Sequence, residues 1–168
     1  MTLEIRKLGD IIIRERSREV ETIDHEIKEL VDAMGEILHS VPGRVGLAAP
    51  QVGVLKRLFV YDIGHGVRCI LNPLIVESDE EKDCEEGCLS VPGVYVVLQR
   101  YDRVKMRCMT LRGHNIAVET RGFLAQVFQH ECDHLDGVLI IDRCDEEKRR
   151  KALEEYQDLE LQKEQRSA

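Results

Sequence analysis

Apolar residues recur every three or four positions after Thr22, and this spacing predicts an amphipathic helix near the start of the chain. Thr22 carries a side-chain oxygen that can cap the first turn, whereas Pro42 and Gly43 end the segment. We expect this helix to pack by one face. The apolar residues of that face are Ile23, Ile27, Leu30, Val31, Met34, Ile37 and Leu38.

The middle of the chain consists of β-prone runs separated by glycine turns, which predict antiparallel hairpins. One turn is Gly64-His65-Gly66 and the other is Arg112-Gly113-His114. The predicted strands are 58–63 and 67–71 around the first turn, 103–111 and 115–120 around the second, with further β-prone runs at 74–76 and 94–98. Hairpins combined with separate helices indicate an α+β fold.

Two segments are dominated by charge. Residues 77–86 form an acidic run around Lys82, which we interpret as a solvated loop. From Asp145 onward acidic and basic residues alternate, which predicts a solvated helix with a narrow apolar stripe. The large apolar residues of that stripe are Leu153, Tyr156, Leu159 and Leu161.

The length and composition suit one domain. A chain of 168 residues, 43% of them hydrophobic, can bury a single core of ordinary size. We expect one domain over residues 1–168, with antiparallel β-sheets around a central helix and with an N-terminal helix. Residues 145–168 are expected to form a charged helical extension.

The sequence also narrows the location and the partners. No apolar run is long enough for a membrane span, and Met1 to Arg6 lack the basic-then-apolar order of a secretory signal. We therefore expect a cytoplasmic protein whose six cysteines are reduced. The net charge of −8 argues against a general nucleic-acid binder, because phosphate neutralisation needs a basic surface.

The segment His130-Glu131-Cys132-Asp133-His134 carries the clearest chemistry. Residues four apart on a helix lie on one face, so both imidazoles can reach one metal ion beside the Glu131 carboxylate. Such a site makes water nucleophilic at neutral pH, and the glutamate can carry the proton. The pattern predicts a hydrolytic metal site.

A catalytic metal site of this kind needs about three protein ligands, and the residues offer more than one choice for the third. A third histidine of the metzincin type is excluded, since Ile140 occupies its position. Glu154 or Glu155 would complete a gluzincin-like protease. Cys88 is the stronger candidate, because it follows Gly87 in a turn where a thiolate can approach a ligand closely.

Three separated segments resemble the signature motifs of peptide deformylases in order and approximate spacing. They are Gly46-Leu47-Ala48-Ala49-Pro50-Gln51, Glu86-Gly87-Cys88-Leu89-Ser90 and Gln129-His130-Glu131-Cys132-Asp133-His134. The resemblance extends from about Gly9 to Arg143. It implies a peptide-deformylase-like catalytic domain that releases formate from the N-terminal N-formylmethionine of newly synthesised polypeptides.

The same resemblance implies a role for each matching position. Cys88, His130 and His134 would hold one divalent metal ion, and Glu131 would act as general base and general acid. Gln51 and the backbone N–H of Leu89 would stabilise the negative charge on the formyl oxygen. A Cys-His-His set suits Fe²⁺, Zn²⁺, Ni²⁺ or Co²⁺, and the resemblance favours ferrous iron.

Substrate contacts are predicted on both sides of the metal. Phe123 and Val127 precede His130 by about two turns and one turn of the helix, so they should form an apolar pocket beside it. The family resemblance implies that this pocket takes the methionine side chain. It also implies that the nascent peptide lies along Val45, Gly46, Gly87 and Leu89, and that the C-terminal helix docks on the ribosome.

One position departs from the family pattern. The first motif usually begins with a glycine two residues before Gly46, where this chain has Arg44. If that glycine provides a positive φ, arginine adds strain on the order of 1–2 kcal/mol. If it provides clearance, Arg44 narrows the substrate channel, and a binding protein without turnover becomes the alternative to an enzyme.

Overall fold

The computed structural model describes residues 3–40 and 43–167, so Met1, Thr2, Val41, Pro42 and Ala168 lie outside the described residues. Within them the chain forms three α-helices, three short 3-10 helices and five β-strands. The α-helices are α1 His25–His39, α2 Gly122–Leu135 and α3 Glu146–Ser167; the strands are β1 Gly46–Ala48, β2 Leu58–Tyr61, β3 Arg68–Cys88, β4 Val91–Met109 and β5 Asn115–Arg121; the 3-10 helices are Ile11–Arg14, Ala49–Val52 and Ile140–Asp142.

The predicted N-terminal helix is present, but it begins later than expected. Asp24 caps it, since its side chain accepts a hydrogen bond of 3.0 Å from the N–H of Ile27. Thr22 is therefore not the cap, and that prediction was wrong. An aspartate suits this position because its charge also complements the positive end of the helix dipole. The predicted end at Pro42 lies outside the described residues.

The strands form one antiparallel sheet in the order β1-β2-β3-β4-β5. Both predicted hairpins are confirmed: Tyr61 pairs with Arg68 across the first turn, and Met109 pairs with Asn115 across the second. A register shift follows Leu71, after which β3 continues to Cys88. The described fold is α+β, with one sheet rather than several.

The acidic run 77–86 is not a loop, so that prediction was wrong. It forms the distal half of β3 and pairs with β4. Cross-strand ion pairs explain why so many carboxylates are tolerated there. Lys105 binds Glu77 at 3.0 Å, and Arg103 lies 3.6 Å from Asp79. Most side chains of the run are nevertheless exposed to solvent, as expected for charged residues.

Helix α2 is held against the sheet by an aromatic cluster. Phe128 lies edge to face with Phe59 and Tyr61 of β2, at centroid separations of 5.4 and 5.0 Å. Ala125 and Leu135 are buried on the same side. This packing fixes the rotation of α2 about its axis, and therefore fixes the direction in which its histidines point.

Helix α3 is only partly solvated. Ala152 and Tyr156 are buried in an apolar cluster with Ile13 and Val94, whereas Leu161 is 55% exposed. The first half of α3 therefore belongs to the core, and its last turns project from it. No helix among the described residues is both long enough and apolar enough to cross a membrane.

Candidate active site

Three potential metal ligands converge where β3 ends beside α2. Cys88 is the last residue of β3, ahead of a two-residue turn that leads into β4. His134 Nε2 lies 3.2 Å from Cys88 Sγ and 3.2 Å from His130 Nε2. All three donor atoms lie within 4.8 Å of one another. A thiolate and two imidazoles at this separation can bind one ion between them.

A buried ion-pair network, which we call the Arg100 network, holds one of these ligands. His130 Nδ1 donates to Glu86 Oε2 at 2.9 Å. Arg100 in turn donates to both oxygens of Glu86, at 2.8 and 2.9 Å, and to Asp133 at 2.7 Å. Arg143 binds the same aspartate at 3.0 Å. Glu86 therefore orients His130 Nε2 toward the other two donors.

The network sets the charges around the ligands. Burial acts to raise the pKa of Glu86, but the hydrogen bonds from Arg100 and His130 outweigh it and hold that pKa at about 2. Burial would likewise raise the pKa of Cys88, yet His134 and His130 lower it well below the usual value. A thiolate is thus favoured at Cys88, which is the form that binds a metal.

Glu131 lies beside the three donors and is buried, with 3% of its surface exposed. Its Oε2 atom has no hydrogen-bond partner among the described residues. Burial raises the pKa of this carboxyl to about 7. Gly46 makes room for it, since a Cβ at that position would lie 2.2 Å from Glu131 Oε1. A carboxyl group with a pKa in this range can exchange protons near neutral pH.

Gln51 comes from the 3-10 helix that follows β1. Its Oε1 atom accepts from the N–H of Ala48 at 2.8 Å, which leaves the amide Nε2 facing the site. That nitrogen lies 3.3 Å from Ser90 Oγ and 3.7 Å from Cys88 Sγ. The side chain is buried, so its donor is held in place beside the metal ligands.

A cavity of about 420 Å³ opens onto His130, Glu131 and Cys88. All the residues expected to contact substrate line it: Val45, Gly46, Gly87, Leu89, Phe123 and Val127. Val127 is buried, but Phe123 is 59% exposed and lies at the rim rather than on the floor. The cavity therefore has an apolar wall at Val127 and an aromatic edge at Phe123.

Neither of the two effects considered for Arg44, backbone strain and a closed channel, is found in the structure. Arg44 is not among the non-glycine residues with positive φ, so the anticipated backbone strain does not arise. Its Nη1 donates to the Ile37 carbonyl at 3.1 Å and to Ser40 Oγ at 3.3 Å, at the end of α1. The cavity that Arg44 lines still reaches His130 and Glu131, so the side chain does not close the channel.

The alternative third ligands lie elsewhere. Glu154 and Glu155 are exposed on α3, and Glu154 accepts a hydrogen bond from Arg150 at 2.7 Å. Among the described residues, the group that can hold a metal is made of Cys88, His130 and His134. A gluzincin-like protease site is therefore not assembled.

Sequence reasoning missed the Arg100 network. Glu86 belongs to the second motif. Arg100 lies outside all three motifs and reaches Glu86 from the neighbouring strand. One signal in the sequence could have identified Arg100 as a buried residue. Inward-facing and outward-facing positions alternate along β4, and Arg100 occupies an inward-facing one. A buried arginine requires carboxylate partners, and the motifs supply two in Glu86 and Asp133.

Comparisons with known proteins agree with this geometry. Residues 2–150 match the family model described as polypeptide deformylase. The peptide deformylase of Thermotoga maritima is 45% identical over 146 residues, which cover 86% of this chain and 88% of that protein. The crystal structure of a peptide deformylase from Legionella pneumophila superposes with a TM-score of 0.90 at 36% identity, over 97% of this chain and 98% of that one.

A second solved structure, the peptide deformylase from Thermotoga maritima, has a TM-score of 0.82 and 44% identity. It covers 86% of this chain and 99% of that structure. Sequence and fold thus agree over nearly the full length of these relatives. The chain belongs to the polypeptide deformylase family.

Proposed function

We propose that this chain hydrolyses the N-terminal formyl group of N-formylmethionyl polypeptides and releases formate. The observation that carries the proposal is the convergence of Cys88, His130 and His134 beside the buried Glu131, at the inner end of an open cavity. Family membership supports the reaction class. Newly synthesised polypeptides are the natural source of such N-termini.

The donor set fits a divalent metal ion, as the family requires. Cys88 would contribute a thiolate, and His130 and His134 would each contribute Nε2, the atoms that already face one another. Glu86 fixes the tautomer of His130 by accepting from its Nδ1. Ferrous iron is our choice of native ion, and Zn²⁺, Ni²⁺ or Co²⁺ would suit the same ligands.

The residues of the site divide the chemical work. When bound, the ion supplies a Lewis acid that lowers the pKa of water. Glu131 takes a proton from the water molecule whose oxygen bonds to the formyl carbon. The same carboxyl group then delivers that proton to the methionine nitrogen as the carbon–nitrogen bond breaks, which yields formate and a free amine.

Two donors would stabilise the charge that develops on the formyl oxygen. Gln51 Nε2 is held near Cys88 by the bond that its own carbonyl accepts from Ala48. The backbone N–H of Leu89 would be the second donor. Because the amide of Gln51 is already held in place by Ala48, its donation to the formyl oxygen would need little reorganisation.

The cavity lining suits a methionyl peptide. Val127 would contact the methionine side chain from the buried interior, and Phe123 would cover it from the rim. The peptide backbone would then run past Val45 and Gly46 on one side and past Gly87 and Leu89 on another. An unbranched thioether side chain fills such an apolar pocket well.

Formate release from N-formyl-Met-Ala-Ser tests the proposal. The full chain is prepared anaerobically with iron and compared with Cys88→Ala and Glu131→Ala. We expect turnover by the wild type, loss of bound metal in Cys88→Ala, and retained metal with almost no turnover in Glu131→Ala. Metal-loaded wild type that released no formate would overturn the assignment.

Identification of the ion needs a separate comparison. The metal-free protein is loaded with Fe²⁺, Zn²⁺, Ni²⁺ or Co²⁺, and kcat is measured for each at matched metal content. Activity highest with Fe²⁺, and lost on exposure to air, is the expected result, because a thiolate and ferrous iron are both oxidised readily. Equal activity with Zn²⁺ in air would argue for zinc.

We also propose that residues 1–168 act as one catalytic domain in the cytoplasm, with α3 docking on the ribosome. Removing residues 150–168 would confound a test, because Ala152 and Tyr156 belong to the core. Truncation after Glu160 removes only the projecting turns. Ribosome cosedimentation should weaken in that variant while turnover of N-formyl-Met-Ala-Ser persists; unchanged cosedimentation would count against docking.

A further inference from the structure

Arg44 lines the cavity, and no ion pair joins it to a carboxylate of the described residues. Many other arginines do form such pairs, among them Arg14, Arg57, Arg100, Arg103, Arg121 and Arg143, whereas exposed arginines such as Arg112 do not. Arg44 instead contacts two neutral acceptors, the Ile37 carbonyl and Ser40 Oγ. Within the described part of the chain, its positive charge is therefore not neutralised by a carboxylate, although the net charge of the chain is −8.

Only one nitrogen of the Arg44 guanidinium makes hydrogen bonds to described residues. Both contacts involve Nη1, which lies at the negative end of the α1 dipole. Nε is buried and has no hydrogen-bond partner among the described residues. Nε and Nη2 form the edge of a guanidinium that a carboxylate grips with two parallel hydrogen bonds. Arg44 is therefore anchored through Nη1, and its guanidinium makes no ion pair with a carboxylate of the described residues.

The position of Arg44 relates this edge to the substrate path. Burial falls along the segment from the buried Leu47, through the half-buried Gly46 and Arg44, to the exposed Gly43. Gly46 touches Glu131, where the formyl group reacts, and Arg44 lies two residues away, about 7 Å along extended backbone. That distance corresponds to one or two residues of an extended peptide beyond its methionine.

Few carboxylates of the cavity lining could compete with a peptide carboxylate for Arg44. Of the acidic residues that line it, Glu86 is neutralised by Arg100 and Glu131 is buried at the inner end. Glu85 is the exposed carboxylate of the lining. An acidic side chain that passes Arg44 would therefore meet a cation that forms no ion pair with a carboxylate of the described residues.

We infer that Arg44 is a specificity-determining residue, which favours formylated peptides with aspartate or glutamate at the second or third position. This inference rests on the proposed function and names the peptide sequences that the same site prefers. A partly exposed ion pair of this kind changes affinity by about two- to fivefold. The effect should appear in KM rather than in kcat, since Arg44 does not touch the reacting atoms.

The test compares peptides that differ only in charge. Formyl-Met-Asp-Ala and formyl-Met-Ala-Asp, both as C-terminal amides so that no terminal carboxylate intervenes, are compared with their asparagine counterparts. We expect the wild type to prefer at least one aspartyl peptide by about two- to fivefold in kcat/KM. Raising the salt from 0.05 to 0.5 M should reduce the preference, because exposed charges are screened.

Three variants assign the preference to Arg44. Arg44→Gln should abolish the preference, and Arg44→Lys should retain part of it. Arg112→Gln removes an exposed arginine from the turn between β4 and β5, outside the cavity lining, and should keep the full preference. Equal ratios in the wild type and Arg44→Gln would overturn the inference.

Binding separates this inference from the proposed function. The dissociation constants of the same peptides are measured by calorimetry on metal-loaded Glu131→Ala, with and without Arg44→Gln. A charge preference that depends on Arg44 in binding supports the inference even if the wild type releases no formate, an outcome that would overturn only the proposed reaction. Equal dissociation constants for aspartyl and asparaginyl peptides would overturn the charge selectivity itself.

Discussion

At the scale of single residues, the site depends on side chains held by contacts that leave their reactive atoms free. Gln51 uses its carbonyl to accept from Ala48, and Glu131 is enclosed with no partner for Oε2 among the described residues. The Nδ1 atom of His130 is bound to Glu86, which leaves Nε2 facing the other two potential ligands. In each case one atom fixes the side chain and another is available for chemistry.

Replacing Gln51 should separate catalysis from metal binding. Gln51→Ala removes one of the two proposed donors to the formyl oxygen, so kcat should fall by roughly 10²–10³ while metal content is unchanged. Steady-state kinetics with N-formyl-Met-Ala-Ser and metal analysis of the same sample provide the measurement. A loss of less than threefold would mean that Gln51 is not such a donor.

Replacing Gly46 should lower activity, because the residue lies against Glu131 in the folded structure. A methyl group at Gly46 would lie 2.2 Å from Glu131 Oε1, so Gly46→Ala must displace the buried carboxylate. Since misplacement by about 1 Å can cost 10²-fold in rate, kcat should fall by at least about tenfold with the metal retained.

Gly35→Ala is the control for an added methyl group. Its Cβ would lie 3.3 Å from the side chain of Val67, far from the catalytic residues, and alanine suits the interior of α1. Activity of Gly35→Ala should therefore stay close to wild type. Gly46→Ala with full activity would show that Glu131 tolerates displacement.

At the scale of elements, the Arg100 network joins two strands and one helix. Arg100 on β4 binds Glu86 on β3 and Asp133 on α2, and all three side chains are buried. The apolar contacts of Phe128 hold α2 against β2 on the other side. The potential metal ligands thus lie between an apolar cluster and an ionic one, which together hold α2 against the sheet.

Removing Arg100 should destabilise the fold strongly. Arg100→Met would leave the Glu86 and Asp133 carboxylates buried with fewer partners, at a cost of about 3–5 kcal/mol in the free energy of unfolding. Urea denaturation of the metal-free protein measures this cost. Arg112→Met, at an exposed turn position, should stay within about 0.5 kcal/mol of wild type. A change below about 1 kcal/mol in Arg100→Met would show that the network adds little stability.

At the scale of the whole molecule, the site joins segments that are distant in sequence. Cys88 ends a strand of the sheet, whereas His130 and His134 come from a helix more than forty residues later. An ion held by all three would cross-link sheet and helix in the folded state. The unfolded chain has no such preformed site, so metal binding contributes to folding.

Metal should therefore raise thermal stability in a concentration-dependent way. At a free metal concentration of about 100 times the dissociation constant, the gain is about 2.7 kcal/mol, so Tm should rise on titration with Ni²⁺ and fall on chelation. Differential scanning calorimetry gives the measurement. Cys88→Ser should show a much smaller rise, and an equal rise in both proteins would indicate metal binding elsewhere.

The sequence by itself determined the elements whose cause is local. Helical spacing in α1 and the glycine turns of both hairpins predicted those elements, and the three motifs predicted the family. The acidic segment of β3 escaped prediction because its carboxylates are balanced by Lys105 and Arg103 on the neighbouring strand, not by sequence neighbours. Only cross-strand register could reveal that balance.

Tertiary structure alone decided how the motifs act together. Three features of the site depend on residues that are far apart in the chain. They are the space that Gly46 leaves for Glu131, the hydrogen bond from His130 to Glu86 and the burial of Arg100. The same holds for Arg44, whose backbone is unstrained and whose guanidinium is anchored at the end of α1. Local patterns specify backbone geometry and donor types, but distances between segments arise only from packing, which depends on the whole chain.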